Sequence, residues 1–307
     1  MLINYSEHID KLNDFRKGKV REALKLGHKE LDSNFRFVAG NMNFILGHNN
    51  VGKTHFTFYL MLLYSLKHNI KWLVFSSEND PVQLIKKLIE FIEGKPINKI
   101  EEKDYEDSRE FVYNHFKFVD INRQYTYKEL LDLAVNIKEA WDYDGFLIDP
   151  INSLRKDLRH TNGYEHSYEC LTEIRLFCKK HNVSTWICAH AVTESLRRKH
   201  SSNHEFGGMT PPPSIGDSEG GAVNGNRCDD FLICHRYIAS PDAWMYTRLY
   251  VAKVKEMSLG YKPTSHESPI LFKSILNNVG FEIGSTNLIK YRTKKQLKID
   301  NTRKNSK

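Results

Sequence analysis

The sequence has no run of about eighteen apolar residues, so no stretch reads as a membrane-crossing helix, and no membrane partner is expected. Its first residues, Met1-Leu2-Ile3-Asn4-Tyr5-Ser6-Glu7-His8, lack the basic-then-apolar layout of a secretory signal. Cysteine is scarce: Cys170, Cys178, Cys188, Cys228 and Cys234 form no C-x-x-C pair, and an odd number cannot pair fully. That argues against a disulfide framework and fits reduced thiols in the core of a cytoplasmic protein. No internal repeat occurs. A net positive charge is also missing from most of the chain. The net charge of +7 is matched by residues 290–307, where Lys290, Arg292, Lys294, Lys295, Lys298, Arg303, Lys304 and Lys307 face Asp300 alone. An electrostatic case for nucleic acid therefore rests on this basic tail and on local loops, and a solvated end that aids solubility is the equal alternative.

What is present is enough for a packed core. The 307 residues are 40% apolar and 12% aromatic, which suits one large α/β domain with appendages or two small domains. Apolar spacing reads as a helix over 5–26, outside the main unit, which packs on its own domain or on a neighbouring subunit. Apolar runs at 42–46, 71–76, 116–120, 145–149 and 184–189 read as strands, and periodic segments at 82–92, 127–141 and 164–180 as helices. Residues 94–112 are polar and charged, with no assignable chemistry. Residues 194–227 read as a long loop around Pro211-Pro212-Pro213, followed by strands near 230–234, 245–254 and 270–273. This alternation predicts an α/β fold with a mostly parallel sheet, helices on both faces, and extra C-terminal strands.

The chain is organised around Gly47-His48-Asn49-Asn50-Val51-Gly52-Lys53-Thr54, a G-x-x-x-x-G-K-T segment between a strand and a helix. Gly47 and Gly52 let backbone N–H groups face a phosphate, and the following helix adds the positive end of its dipole. Lys53 supplies charge to the β/γ-phosphates and the Thr54 hydroxyl can ligate magnesium. Gly47, Asn50, Gly52, Lys53 and Thr54 are the candidate nucleotide contacts, with ATP and Mg2+ the expected ligands. Asp149 closes an apolar strand, where an acid can hold the magnesium hydration shell, or else cap the turn before Pro150. Glu78 follows another strand and can polarise a water. Asp80 competes for that role, and either acid could instead cap the helix after Pro81. His190 ends a further strand and can report on the γ-phosphate, or be satisfied by a carboxylate. In an open α/β sheet these residues arrive on one edge, outside the carboxyl ends of the strands.

Together Gly47-x4-Gly-Lys-Thr54, Phe75-Ser-Ser-Glu78-x-x-Pro81, Phe146-Leu-Ile-Asp149 and Ile187-Cys-Ala-His190 resemble the successive motifs of DnaB-like replicative helicases, especially phage and mitochondrial primase-helicase relatives. Asp229-x6-Arg236 and Val251-Ala252-Lys253-Val254-Lys255 continue the resemblance, which spans about 25–275. It implies a RecA-like P-loop NTPase core over 26–289 with strand order 5-1-4-3-2. It also implies a homo-oligomeric ring, usually a hexamer, with nucleotide between subunits and single-stranded DNA in a central channel. By position, Glu78 would be the catalytic carboxylate, Asp149 the magnesium-associated acid and His190 the γ-phosphate sensor. Residues 1–25 would be the linker helix that docks on the next subunit. A separate primase is a possible partner, and the cytoplasm of a bacterium or phage-infected cell the expected location. The channel loops would be about 152–166, with Arg155, Lys156 and Arg159, and 194–217, with Arg197, Arg198 and Lys199. Their charge could follow a phosphate backbone, or simply be solvated. His200 and His204 make a poor metal site.

The sequence departs from the family where K-x-R is usual. Lys253-Val254-Lys255 leaves Lys255 in place of the arginine that would reach the neighbouring active site, with Arg236 as the rival. No primase or separate N-terminal helical domain is recognisable. Two functions stay open: a ring motor that unwinds duplex DNA, and a RecA-like DNA-binding ATPase in recombination, loading or regulation that does not.

Overall fold

The computed structural model describes residues 5–18, 21–156 and 163–289. Arg159 and the basic tail lie outside the described residues.

Six parallel strands form the heart of a ten-stranded sheet: β1 (Met42–Gly47), β2 (Trp72–Ser76), β3 (Phe116–Phe118), β4 (Gly145–Asp149), β5 (Ser184–His190) and β6 (Asp230–His235). Then come β7 (Tyr246–Val254), β8 (Ile270–Ser274), β9 (Phe281–Ile283) and β10 (Thr286–Asn287), each antiparallel to its neighbour. The order is β10-β9-β8-β7-β6-β1-β5-β4-β2-β3. Within it, β6-β1-β5-β4-β2 is the 5-1-4-3-2 arrangement, with β3 added outside and the later strands extending the opposite edge. The parallel pairs need long crossovers, which the helices supply: α1 (Ile9–Arg16) and α2 (Lys29–Asp32) precede the sheet. Then α3 (Lys53–His68), α4 (Pro81–Glu93), α5 (Glu102–His115), α6 (Tyr127–Ala140), α7 (Gly163–His181) and α8 (Ala222–Arg227) link its strands.

Strand alternation divides the core in two. Trp72, Val74, Trp186 and Cys188 pack with Phe56, Leu60 and Leu88 of α3 and α4. Leu73, Phe75, Ile148 and Ile187 pack with Leu130 of α6 and Leu171 and Ile174 of α7. Burial on both faces explains why these strands read as unbroken apolar runs. All five cysteines are free and buried.

Register then fixes the functional edge. Gly47 lies beside His190, and Ser76 beside Asp149, so the ends of β1, β5, β2 and β4 finish level.

Two sequence expectations need correcting, and the stretch 94–112 holds a helix that its composition does not mark. The helix expected over 5–26 stops at Arg16, and the chain turns at Gly18 with φ of 75°. Leu24 instead bridges Phe37 and Leu26 enters the core, so their apolar spacing serves packing rather than a helix. The polar stretch 94–112 contains most of α5, anchored by buried Phe111 and Val112. The expected loop 194–227 holds 3-10 turns and ends in α8.

Candidate active site

The phosphate loop is shaped by close approach. A Cβ on Gly47 would stand 2.7 Å from the Cys234 carbonyl oxygen, and Gly52 holds φ of 83°, which a side chain disfavours. Beside the loop lies a cleft of about 650 Å³ lined by Asn50, Lys53, Thr54, Glu78 and His190, roomy enough for a nucleotide.

Lys53 opens α3 and is only 5% exposed. Its ammonium donates to the Ala189 carbonyl at 2.9 Å and meets His190 Nδ1 at 3.3 Å. An ammonium can only donate, so Nδ1 must accept and the imidazole proton sits on Nε2. Nε2 lies 3.3 Å from Glu78 Oε1, and so donates to it. Lys53, His190 and Glu78 thus form one polar chain across the mouth of the cleft. The two readings of His190 meet here, since the carboxylate that satisfies it is Glu78. Asp80 is committed elsewhere: its side chain caps α4 by accepting from the Val82 N–H at 2.9 Å.

Thr54 Oγ1 donates to Asp149 Oδ2 at 2.9 Å. Asp149 is buried, and desolvation pushes its carboxyl above the usual range, partly offset by the Thr54 hydrogen bond and the Lys53 charge. A hydroxyl and a carboxylate so placed are hard oxygen donors, which fits a magnesium ion beside bound phosphates.

Arg236 ends on its own phosphate loop. Its Nη1 would lie 3.6 Å from a Cβ on Gly52, while its Nε donates to the Trp244 carbonyl. Lys255 lies at the other end of the sheet. Its Nζ is 3.2 Å from Asp229 Oδ1, and Asp229 also receives the Met42 N–H at the start of β1. Lys253 is structural, donating to the Gly225 and Cys228 carbonyls at 2.6 and 2.8 Å.

The basic loop residues have local partners. Arg155 meets Glu129 at 3.4 Å, Arg197 meets Glu194 at 2.8 Å, Arg198 pairs with Asp217, and Lys199 donates to Thr210 at 2.8 Å. Lys156 lines a separate cavity of about 380 Å³. Both loops leave the sheet on the phosphate-loop edge, after β4 and β5.

No protein-family model and no curated protein matches this sequence. Solved structures do. The ATPase domain of G40P superposes with a TM-score of 0.72 and 12% identity, over 92% of this chain and 99% of that one. A DnaB-like replicative helicase, described with its interactions with primase, superposes with a TM-score of 0.68 and 12% identity, over 92% of this chain and 67% of that one. The fold is that of a DnaB-like, RecA-type ATPase domain.

Within that RecA-type fold, two contacts escape any sequence motif. His48, in the phosphate loop, bonds Ser195 Oγ at 2.9 Å through Nε2, tying the loop to the segment after β5. Glu219 lines the same cleft as Lys53, donates its N–H to the His190 carbonyl at 3.0 Å, and accepts from Asn152 after β4. Both join residues far apart in sequence, and position 48 is one that the G-x-x-x-x-G-K-T pattern leaves open, so it carries no local signal.

Proposed function

We propose that the chain is an ATP-hydrolysing motor of the replicative-helicase type, which works as a ring on single-stranded DNA and unwinds duplex. The observation that carries the reading is the Lys53–His190–Glu78 chain beside the Thr54–Asp149 pair. Lys53 and the loop N–H groups would hold the β/γ-phosphates. Magnesium, held through Thr54 and Asp149, would neutralise phosphate charge as it develops. Glu78 would orient the attacking water and accept its proton. His190, with its proton on Nε2, keeps the Glu78 carboxylate aimed and would exchange that contact as the γ-phosphate leaves.

Assembly is supported by α1. Tyr5, Ile9, Leu12 and Phe15 are 74, 52, 58 and 58% exposed, an apolar stripe that a neighbouring copy would cover. DNA contact is supported by the position of the loops with Arg155, Lys156, Arg197, Arg198 and Lys199 on the nucleotide edge. A second reading, an ATPase that binds DNA without unwinding, is favoured by the lysine at 255. A forked-duplex unwinding assay with ATP, beside electron microscopy of the nucleotide-bound particle, separates them. Rings that unwind support the motor; ATP turnover on single-stranded DNA with an intact fork supports the second reading.

A further inference from the structure

Arg248 is buried without a counter-charge. It sits on β7 between His235 of β6 and Leu271 of β8, and is 9% exposed. Its Nη1 is enclosed and has no hydrogen-bond partner. Among the described residues no carboxylate pairs with it; Glu205 and Glu267 line the larger of the two cavities beside it, Glu205 and Asp242 the smaller, and all three are exposed.

Its aromatic neighbours do not make up the deficit. The Phe206 and Tyr237 rings are stacked 3.7 Å apart, and Arg248 Cζ is 4.7 and 4.8 Å from their centroids. Near-equal distances to two stacked rings put the guanidinium beside the stack. There it faces the positive ring edges and gains little cation–π attraction. The enclosed Nη1 thus carries a desolvation cost that no partner offsets, while the rest of the guanidinium borders the cavities.

The guanidinium lines a cavity of about 520 Å³ together with Phe206, Tyr237, Tyr250, His200 and His204. A second donor is fixed there by the loop itself. The Phe206 N–H donates to His204 Nδ1 at 3.0 Å, so the His204 proton is on Nε2. The cavity does not include the phosphate loop, and no residue lining it lines the nucleotide cleft.

We propose that Arg248 forms the floor of a phosphate-binding pocket separate from the nucleotide cleft. A guanidinium fork and an imidazole donor lining one cavity suit the several acceptor oxygens of a phosphate group. The group is either free phosphate or a phosphodiester of single-stranded DNA, whose proposed loop, 194–217, supplies Phe206, His200 and His204. The pocket itself does not depend on the ATPase reading.

The test uses the full chain carrying Lys53→Ala, which weakens phosphate binding at the nucleotide cleft. Inorganic phosphate is titrated by calorimetry and by its effect on melting temperature, with acetate as the carboxylate control. Arg248→Met should weaken phosphate binding roughly tenfold or more, as for loss of a charged hydrogen bond, and abolish the phosphate-induced rise in melting temperature. Arg248→Lys, which keeps the charge but not the fork, should fall between, and serves if the methionine variant fails to fold. Oligothymidylate binding assigns the source: parallel loss in Arg248→Met identifies the DNA backbone, and retention identifies free phosphate. The pocket is overturned if phosphate does not bind the Lys53→Ala chain, if acetate binds equally well, or if neither Arg248 variant changes phosphate affinity.

Discussion

Replacing Glu78 by glutamine changes one property of the site and leaves the others in place. The amide is the same size, and its carbonyl can still accept from His190 Nε2, which lies 3.3 Å from the present Oε1. The Lys53 contacts to Ala189 and His190 are untouched, as is the Thr54–Asp149 hydrogen bond. What goes is the basicity that orients and deprotonates water, a contribution of about 10² to 10⁴ in rate. Glu78→Gln should therefore bind a fluorescent ATP analogue like the parent and hydrolyse ATP at least about a hundredfold more slowly in single-turnover assays. Asp80→Asn is the matched control. Its carboxylate caps α4, and an asparagine oxygen accepts from the Val82 N–H about as well, so stability and turnover should both be preserved. Parent-rate hydrolysis by Glu78→Gln, together with a slow Asp80→Asn, would refute the assignment of the base.

Removing residues 1–18 spares the Leu24–Phe37 bridge, so melting temperature should hold while sedimentation shows weaker self-association; unchanged assembly would make α1 an internal packing element. Asp230 is raised from 3.8 to about 6 by burial, so its ionised form costs the fold up to roughly 3 kcal/mol above that pH and nothing below 4. Its native state holds the proton more tightly than the unfolded chain, so stability is highest at low pH as far as this group is concerned and falls as pH rises from about 4 through 6. Asp230→Asn, whose carbonyl can still accept from the Tyr261 hydroxyl, should stabilise the protein at pH 7.5 in denaturant melts, with the gain shrinking towards pH 4; a pH-independent difference would contradict this. Mixing Glu78→Gln with Lys255→Ala subunits tests action between subunits. Activity should vary non-linearly with the ratio and Lys255→Ala alone should fall roughly a hundredfold or more, whereas a linear response with a fully active Lys255→Ala removes Lys255 from the mechanism.

The central strands were legible because each is buried on both faces. The run 145–149 coincides with β4 and ends at the acid that meets Thr54. The glycine-lysine-threonine loop was legible for a different reason, since few other contexts demand those residue types together. Helix α5 was not: acids, with Lys103 and Arg109, crowd its sequence, and few apolar residues mark the buried face. Strands β9 and β10, of three and two residues, are too short to show a period. The N-terminal helix was overextended because Leu24 and Leu26 repeat at helical spacing while serving a bridge and the core. At the site, chain order brought Glu78, Asp149 and His190 to one edge, but the His48–Ser195 and Glu219–Asn152 contacts depend on register between distant segments.

The same register bears on how the cations are shared. β1 and β6 run parallel, so Gly47 and Arg236 emerge at one end and Met42 and Asp229 at the other. β7 runs back along β6, which returns the chain to Asp229 and leaves Lys255 there, bonded to its carboxylate. A strand running in that direction cannot deliver Lys255 to its own phosphate loop. Within one subunit, Lys53 and Arg236 reach the loop and Lys255 does not, so Lys255 could meet a phosphate only on another copy. It would also have to leave Asp229, which Arg175 already neutralises at 3.1 Å, so release strands no unpaired acid. Lysine offers a mobile point charge on a flexible stem rather than a fixed fork, and a cation that must exchange partners is served by that mobility. The lysine at 255 is thus compatible with a subunit-crossing role at the level of geometry. Action of Lys255 on another copy would show as turnover per chain that rises with protein concentration, whichever of the two functional readings holds.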